Sequence, residues 1–357
     1  NEQSYILGLL EEVQAQSVID LLNKEEQEEI EEIMGYPEDS AGTLMATETF
    51  TLHQNTTCGD ALRTLQDQKN AEMVFYLYIT DEDDSLVGVA SLRALATTSS
   101  NTLLRDIMIK RVHSVHPETD QEEVAQIVAQ YNYLAVPVID RDNHLLGIVT
   151  VDDVVDVIRE EATEDFLQMA GVGKDREILL KSSWENAKVR LPWLFASWIG
   201  GIMAASIIGI YEQMLENIIA LAAFIPVIIG MGGNIGTQSS TLIVRGMATG
   251  RIELGNELKV LFKELKVGLI LGLLYGVMLG AFANFQFFNY GTMIGVVVGL
   301  SICCSMLIAV AVGSITPLIL RKLDIDPAIA TGPFVTTSID ILGVLLYFAI
   351  AGQFLFK

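Results

Sequence analysis

Residues 267–320 contain no Asp, Glu, Lys or Arg. A bilayer core of roughly 30 Å is crossed by about 20 helical residues, so this run is long enough for two spans. Residues 284–291 (NFQFFNYG) supply a turn between them. Residues 191–211 and 217–244 are also free of charge, and residues 327–356 contain one charged side chain, Asp340. Five transmembrane helices follow. With no water to satisfy exposed backbone groups in lipid, a chain of this kind must fold as a helical bundle.

Basic residues fix the expected orientation, because cytoplasmic loops collect Lys and Arg. Lys181, Lys188 and Arg190 precede span one, Arg245, Arg251, Lys259, Lys263 and Lys266 lie between spans two and three, and Arg321 and Lys322 lie between four and five. The remaining loops carry no basic residue. A multi-pass protein of the cell membrane is therefore expected, with its N-terminal half in the cytoplasm and its C-terminus outside. Asn1 opens the chain without a cleavable signal pattern, which reads as a start inside a longer protein.

The overall charge of −23 belongs to the front half. Residues 1–180 hold 36 acidic and 11 basic side chains, against 9 and 11 in the rest. Such a surface repels nucleic acid and anionic lipid and attracts cations, although acidity also serves solubility alone. Cys58 is far from the adjacent Cys303 and Cys304, which leaves no disulfide framework, and small packing residues are the expected role of the pair.

Residues 44–95 and 107–157 repeat one another: "YLYITDEDDSLVGVASL" answers "AVPVIDRDNHLLGIVTV". Each copy reads as a short extended segment, a helix (59–69 and 121–131), a strand, an Asp/Asn-rich turn, a second strand and a further helix. The pair resembles tandem CBS motifs, which associate as a Bateman module. Gly147 to Asp153 (GIVTVDD) is similar to the segment whose Thr and Asp hold an adenosine ribose and phosphate in nucleotide-binding members. The resemblance thus implies a nucleotide, ATP, at Thr150 and Asp153; copy one has Ser91 and Ala94 there and loses the carboxylate. Asp153 could equally be a helix-start residue. Ahead of the repeat, residues 1–35 have the pattern of an amphipathic helix pair.

Two polar islands interrupt the apolar spans. An isolated carboxylate in a bilayer costs a few kcal/mol or more unless it meets water, a cation or a partner. Asp340 should therefore face a pathway, the alternative being a protonated side chain bonded to a neighbouring helix. Gly332 and Pro333 should break its helix, with Thr336 and Thr337 adding oxygens. In span two, residues 230–241 (GMGGNIGTQSST) permit close helix approach or local unwinding, and Asn234 and Gln238 offer further oxygens. Oxygen donors suit a hard cation such as Mg2+, and no His or Cys set suits zinc.

The order of acidic helices, paired CBS motifs, connecting helix and five spans resembles the MgtE family of magnesium channels. Residues 226–241, 36–42 (YPEDSAG), 120–123 (DQEE), 151–165 (VDDVVDVIREEATED) and 326–340 (DPAIATGPFVTTSID) carry that resemblance. It implies a multidomain α/β plus all-α membrane chain: a helical remnant over 1–38, CBS motifs over 39–98 and 99–165, a connecting helix over 166–190 and the membrane domain over 191–357. It further implies a homodimer in membrane lipid, with Asp340 of each subunit at the selectivity site and Thr336 beside it. Regulatory Mg2+ would be held at the positions of Asp120, Glu122, Ala129, Asp153, Asp156, Glu161, Glu164, Asp165 and Asp326. Asn132 and Gly332 depart from the pattern, where an acidic residue and an Asn are expected. The implied activity is Mg2+ entry down its gradient, shut by cytoplasmic Mg2+. The alternatives are Mg2+ transport coupled to H+ or Na+, and a membrane-anchored nucleotide sensor without transport. With no Ser/His, Cys/His or metal-hydrolase constellation, an enzyme is not expected.

Overall fold

The computed structural model describes residues 27, 33–67, 76–174, 178–252, 255–323 and 325–356. The helix pair expected over residues 1–35 lies almost wholly outside these residues. The chain divides into two compact units, residues 1–161 and 162–357.

In the first unit the expected repeat is realised. Copy one comprises α1 (Ala41–Leu44), β1 (Thr51–His53), α2 (Cys58–Asp67), β2 (Tyr76–Thr80), β3 (Leu86–Ser91) and α3 (Leu92–Thr97). β1 pairs parallel to β2, and β2 antiparallel to β3. After α4 (Leu104–Ile107), copy two comprises α5 (Gln121–Tyr131), β4 (Ala135–Ile139), β5 (Leu145–Thr150) and the start of α6 (Val151–Met169). Its β4 and β5 pair antiparallel, while the expected first strand is reduced to a single bridge between Val115 and Val138. Every residue of β4 is buried, as the unbroken apolar run AVPVI requires. α5 starts at Asp120, whose side chain accepts from the Glu122 N–H, and ends at Asn132 with φ 53°. Asn tolerates that left-handed geometry, so the departure at Asn132 also serves as a helix stop.

The two strand turns are built alike and join the copies. Asp81 Oδ1 accepts from the amides of Asp83 and Ser85, and Asp140 Oδ1 from those of Asp142 and His144. Ser85 bridges His144, and Asn143 Nδ2 donates to the Leu86 carbonyl at 2.8 Å. These contacts join the copies, together with a buried apolar cluster of Tyr78 and Leu86 with Ala135, Ile139 and Ile148.

Between repeat and membrane, the connecting helix expected over 166–190 takes a different form. α6 runs unbroken from Val151 to Met169 and stops where Gly171 adopts φ 68°. Among the described residues, helix resumes at Ser183, as α7 (Ser183–Ile210), which includes span one. Two glycines close together, Gly171 and Gly173, both at positive φ, are the physical reason for the break.

The second unit continues with α8 (Glu212–Asn217), a 3-10 turn (Ile219–Phe224), α9 (Ile225–Ala248), α10 (Glu257–Gln286), α11 (Met293–Lys322), a second 3-10 turn (Pro327–Thr331) and α12 (Pro333–Leu355). Among the described residues, five helices are long and apolar enough to cross a membrane. α11 packs against α9, α10 and α12, and α12 also against α7. Despite its glycines, α9 is continuous from Ile225 to Ala248, so there is no unwinding, and Gly232 and Gly236 act through close approach. Gly332 separates the 3-10 turn from α12, which starts at Pro333: the expected break near Asp340 is present.

Glycines set the spacing of α10 and α11. Gly268, Gly272, Gly276 and Gly280 form a stripe at every fourth residue of α10 and meet Val310, Cys303, Gly299 and Gly295. A methyl added at Gly276 would sit 2.6 Å from the Gly299 carbonyl oxygen. Cys303 lies against Gly272 as a free thiol, the packing role expected of it. Gly276→Val should therefore destabilise the bundle by about 1–3 kcal/mol through overpacking, read as an earlier thermal transition in detergent. Gly201→Val, where nothing lies within 4 Å of the added carbon, is the matched control and should leave that transition in place.

Candidate ion pathway and cation-sensing cluster

Asp340 sits two turns into α12 and is half-buried. Its carboxylate accepts no hydrogen bond from any described residue, which disfavours the helix-bonded alternative. It faces α9 at a glycine: a methyl on Gly233 would lie 3.9 Å from Asp340 Oδ1. The residue before it, Ile339, fills the gap at Gly232 and Gly236, where added carbons would come within 3.0 and 2.1 Å of its side chain. Ser305 of α11 closes on the other side, 3.3 Å from that position on Gly232 and 3.1 Å from that on Gly343. Three helices thus lock the turn of α12 that carries the carboxylate.

The other expected pathway residues divide. Thr336, one turn before Asp340 on the same face, donates its hydroxyl to the Pro333 carbonyl at 3.3 Å. Thr337 turns away, its methyl pressed on Gly200 of α7. Asn234 and Gln238 lie one turn apart on an exposed face of α9. Within one chain, therefore, Asp340 and Thr336 share a face, Asn234 and Gln238 share another, and Thr337 is a packing residue.

Sequence reading passed over a second acid in the bundle. Glu264, three residues before the charge-free run, is 91% buried in α10 and accepts from Ser239 Oγ of α9 at 3.0 Å. It occupies the position four residues before Gly268 and so continues the glycine stripe that faces α11. That spacing was the available signal. Ser240, next to Ser239 on α9, and Ser314 on α11 are buried with hydroxyls lacking a partner among the described residues.

A cluster of carboxylates forms where α6 ends. Gln168, 1% exposed, donates Nε2 to Asp326 Oδ2 at 2.6 Å and to Glu164 Oε1 at 3.1 Å. Lys174 places Nζ 2.7 Å from Glu164 Oε1 and 3.6 Å from Asp326 Oδ2. Asp326 Oδ1 accepts from the Ala328 amide at 2.8 Å and so caps the turn leading to α12. Burial, reinforced by the neighbouring Asp326, pushes the Asp165 carboxyl up to about 6. Three expected metal positions, Glu164, Asp165 and Asp326, therefore share one crowded locus.

The positions in the first unit are not gathered in the same way. Asp120 and Glu122 stand at the start of α5, with Ala129 exposed two turns on. Glu161 accepts from Gln121 Nε2, which also reaches Asp39. Asp153 and Asp156 lie on α6, with Asp156 exposed. Among the described residues the one group whose ligand atoms lie within 4.8 Å of each other is Asp140, Asp142 and His144. Both His144 nitrogens are already engaged, Nδ1 with Asp140 at 2.9 Å and Nε2 with the Asp83 carbonyl at 3.1 Å, so this group is turn architecture.

The expected nucleotide pair is in direct contact. The Thr150 hydroxyl donates to Asp153 Oδ2 at 2.7 Å, and burial raises the Asp153 carboxyl while that bond opposes the rise. In copy one, Ser91 Oγ accepts from the Ala94 amide at 3.1 Å as an ordinary helix cap. Beside β4, the rings of His113 and Tyr131 stack with centroids 4.3 Å apart, and Tyr131 with Tyr133 at 5.4 Å.

Residues 225–350 match the family model MgtE, described as a divalent cation transporter, and residues 41–100 and 104–160 match the CBS domain. The magnesium transporter MgtE of Enterococcus faecalis is 40% identical over 332 residues, 93% of this chain and 72% of that protein. Its counterpart in Bacillus subtilis is 38% identical over 331 residues, covering 92% and 73%. A crystal structure of the cytosolic domain of the Mg2+ channel MgtE in complex with ATP is 41% identical to 40% of this chain; the match spans 58% of that chain with a TM-score of 0.39. Matching a relative along nearly its whole length, through both CBS motifs and the five apolar helices, the chain belongs to the MgtE family of divalent cation transporters.

Proposed function

We propose that this chain is a Mg2+-selective channel of the cell membrane, with its N-terminal unit in the cytoplasm and its C-terminus outside, closed by cytoplasmic Mg2+. The observation that carries this is Asp340: a carboxylate in an apolar helix, half-buried, without a hydrogen-bond partner among the described residues and facing a glycine surface. Mg2+ dehydrates reluctantly, so one carboxylate from each subunit of a homodimer, with Thr336 beside it, suits recognition of a largely hydrated ion. The exposed Asn234 and Gln238 face of α9 would line the same axis. An inside-negative potential supplies ~4.6 kcal/mol per divalent ion per 100 mV, twice the value for one charge.

Gating follows from charge. Carboxylates brought together repel one another, and a bridging Mg2+ removes the repulsion, so rising cytoplasmic Mg2+ favours the arrangement in which Glu164, Asp165 and Asp326 are close. Asp326 caps the turn that leads into α12, which gives this cluster purchase on the helix that bears Asp340. The positions at Asp120, Glu122, Ala129, Asp153, Asp156 and Glu161 would complete Mg2+ sites between facing surfaces. ATP would bind at Thr150 and Asp153, with the His113, Tyr131 and Tyr133 rings as a stacking surface for its base. Coupled transport with H+ or Na+ is the competing reading, and single-channel currents separate the two. An anchored sensor without transport has no use for Asp340.

In proteoliposomes, Asp340→Ala should lower Mg2+ flux by about tenfold or more, the scale of ~1.4 kcal/mol of lost interaction, with the oligomer intact by size-exclusion. Wild-type flux in that variant would overturn the pathway. Asp153→Ala should abolish ATP binding in calorimetry, and persistence of the heat signal would remove the nucleotide assignment. The Asp165 carboxyl predicts a pH dependence. Its pKa is raised from about 4 to about 6 in the clustered arrangement, so that arrangement is favoured below about pH 4 and loses this contribution as pH climbs through about 6. In EDTA, hydrogen exchange of residues 162–174 should thus be slower at pH 5 than at pH 8, after correction for intrinsic rates. With Mg2+, which takes the ionised form, the order should reverse.

A further inference from the structure

Lys174 lies beyond the end of α6, yet its ammonium returns to the carboxylates of that helix. Gly171 and Gly173, at φ 68° and 95°, turn the chain back. The ammonium then stands 2.7 Å from Glu164 Oε1 and 3.6 Å from Asp326 Oδ2, and the buried Gln168 amide bridges the same two oxygen atoms. Two carboxylates from distant parts of the sequence are thus joined by one cation that belongs to the chain itself. The Glu164 side chain is only 13% exposed and that of Asp326 29%. Arg245 offsets part of the charge at Asp165, and without Lys174 beside them Glu164 and Asp326 would add two further carboxylates to that poorly solvated place.

We propose that Lys174 is a tethered counter-cation that holds the end of α6 on the turn leading to α12 when regulatory Mg2+ is absent, and that Mg2+ must displace it to bridge Glu164 and Asp326. This deepens the gating reading above and rests on it for its consequence, not for its contacts. Mg2+ ligates oxygen at 2.0–2.1 Å in near-octahedral geometry. An ammonium and an amide donating to the same two oxygens occupy the room such an ion needs. The ammonium neutralises one carboxylate charge and the divalent ion two. Closure in this chain is therefore partial without Mg2+ and complete with it, and the Lys174 bridge reduces the change that Mg2+ produces.

The test is hydrogen exchange of residues 162–174 and 326–332, by mass spectrometry, on the whole chain in lipid nanodiscs, with Mg2+ itself as the probe. The Lys174 side chain is 62% exposed and structurally undemanding, so Lys174→Met should fold. In EDTA, exchange in both segments should be about fivefold faster in Lys174→Met than in wild type, the scale of a partly screened ion pair. Lys174→Arg should stay close to wild type. Saturating Mg2+ should bring all three to the same protection, making the Mg2+-induced gain largest in Lys174→Met. Equal exchange of Lys174→Met and wild type in EDTA, or an Arg variant that behaves like the Met variant, would overturn the proposal. Exchange that ignores Mg2+ in every variant would instead defeat the gating reading, while the comparison in EDTA would still decide the role of Lys174.

Discussion

Apolar helices in lipid gain little from leaving lipid for one another, so their association depends on how closely their backbones can approach. Every other feature of the membrane unit rests on that constraint. The glycine stripe of α10 sets its distance from α11, and Gly232 and Gly236 of α9 admit Ile339 of α12. Asp340 is the neighbour of Ile339. The locked Ile339 fixes the position of that carboxylate on α12, and the bare Gly233 surface of α9 faces it.

The same principle of contact without bulk separates the two acids of the bundle. Glu264 continues the glycine stripe and is tied to Ser239 across the helix contact, a buried and satisfied carboxylate. Asp340 has no such partner among the described residues. One acid is a link between α9 and α10; the other has no such link among the described residues. An acidic side chain in a membrane helix is therefore read by its partner and not by its depth alone.

At the end of α6 the balance of charge changes scale. Glu164, Asp165 and Asp326 lie at one locus, and Lys174 and Gln168 offset part of their repulsion. The cluster is joined through Asp326 to the turn before α12, whose Ala328 amide donates to that carboxylate. In the other unit, turn aspartates shape each strand turn while Asn143, Ser85 and His144 reach across to the other copy, and the Thr150–Asp153 contact marks the copy with a carboxylate at that position.

Much of this was legible in the residues. Charge-free runs decided the five spans, because the length of an apolar helix is set by bilayer thickness. Internal repetition decided the α/β unit, since period-two strands and Asp/Asn turns are local signals. Asp340 and the break at Gly332 and Pro333 stood out for the same reason: each violates the pattern of its own segment. What local pattern could not decide was which side chains meet. The end of the connecting helix at Met169 depended on two glycine φ values, and the glycines of α9 could have signalled either unwinding or close approach until the α11 and α12 surfaces were in place. Glu264 was hidden because only the packing of α10 on α9 and α11 makes its position interior. Lys174 and Asp326, far apart in the chain, became partners only when the chain folded back, since an ion pair depends on distances in space that spacing along the sequence does not encode.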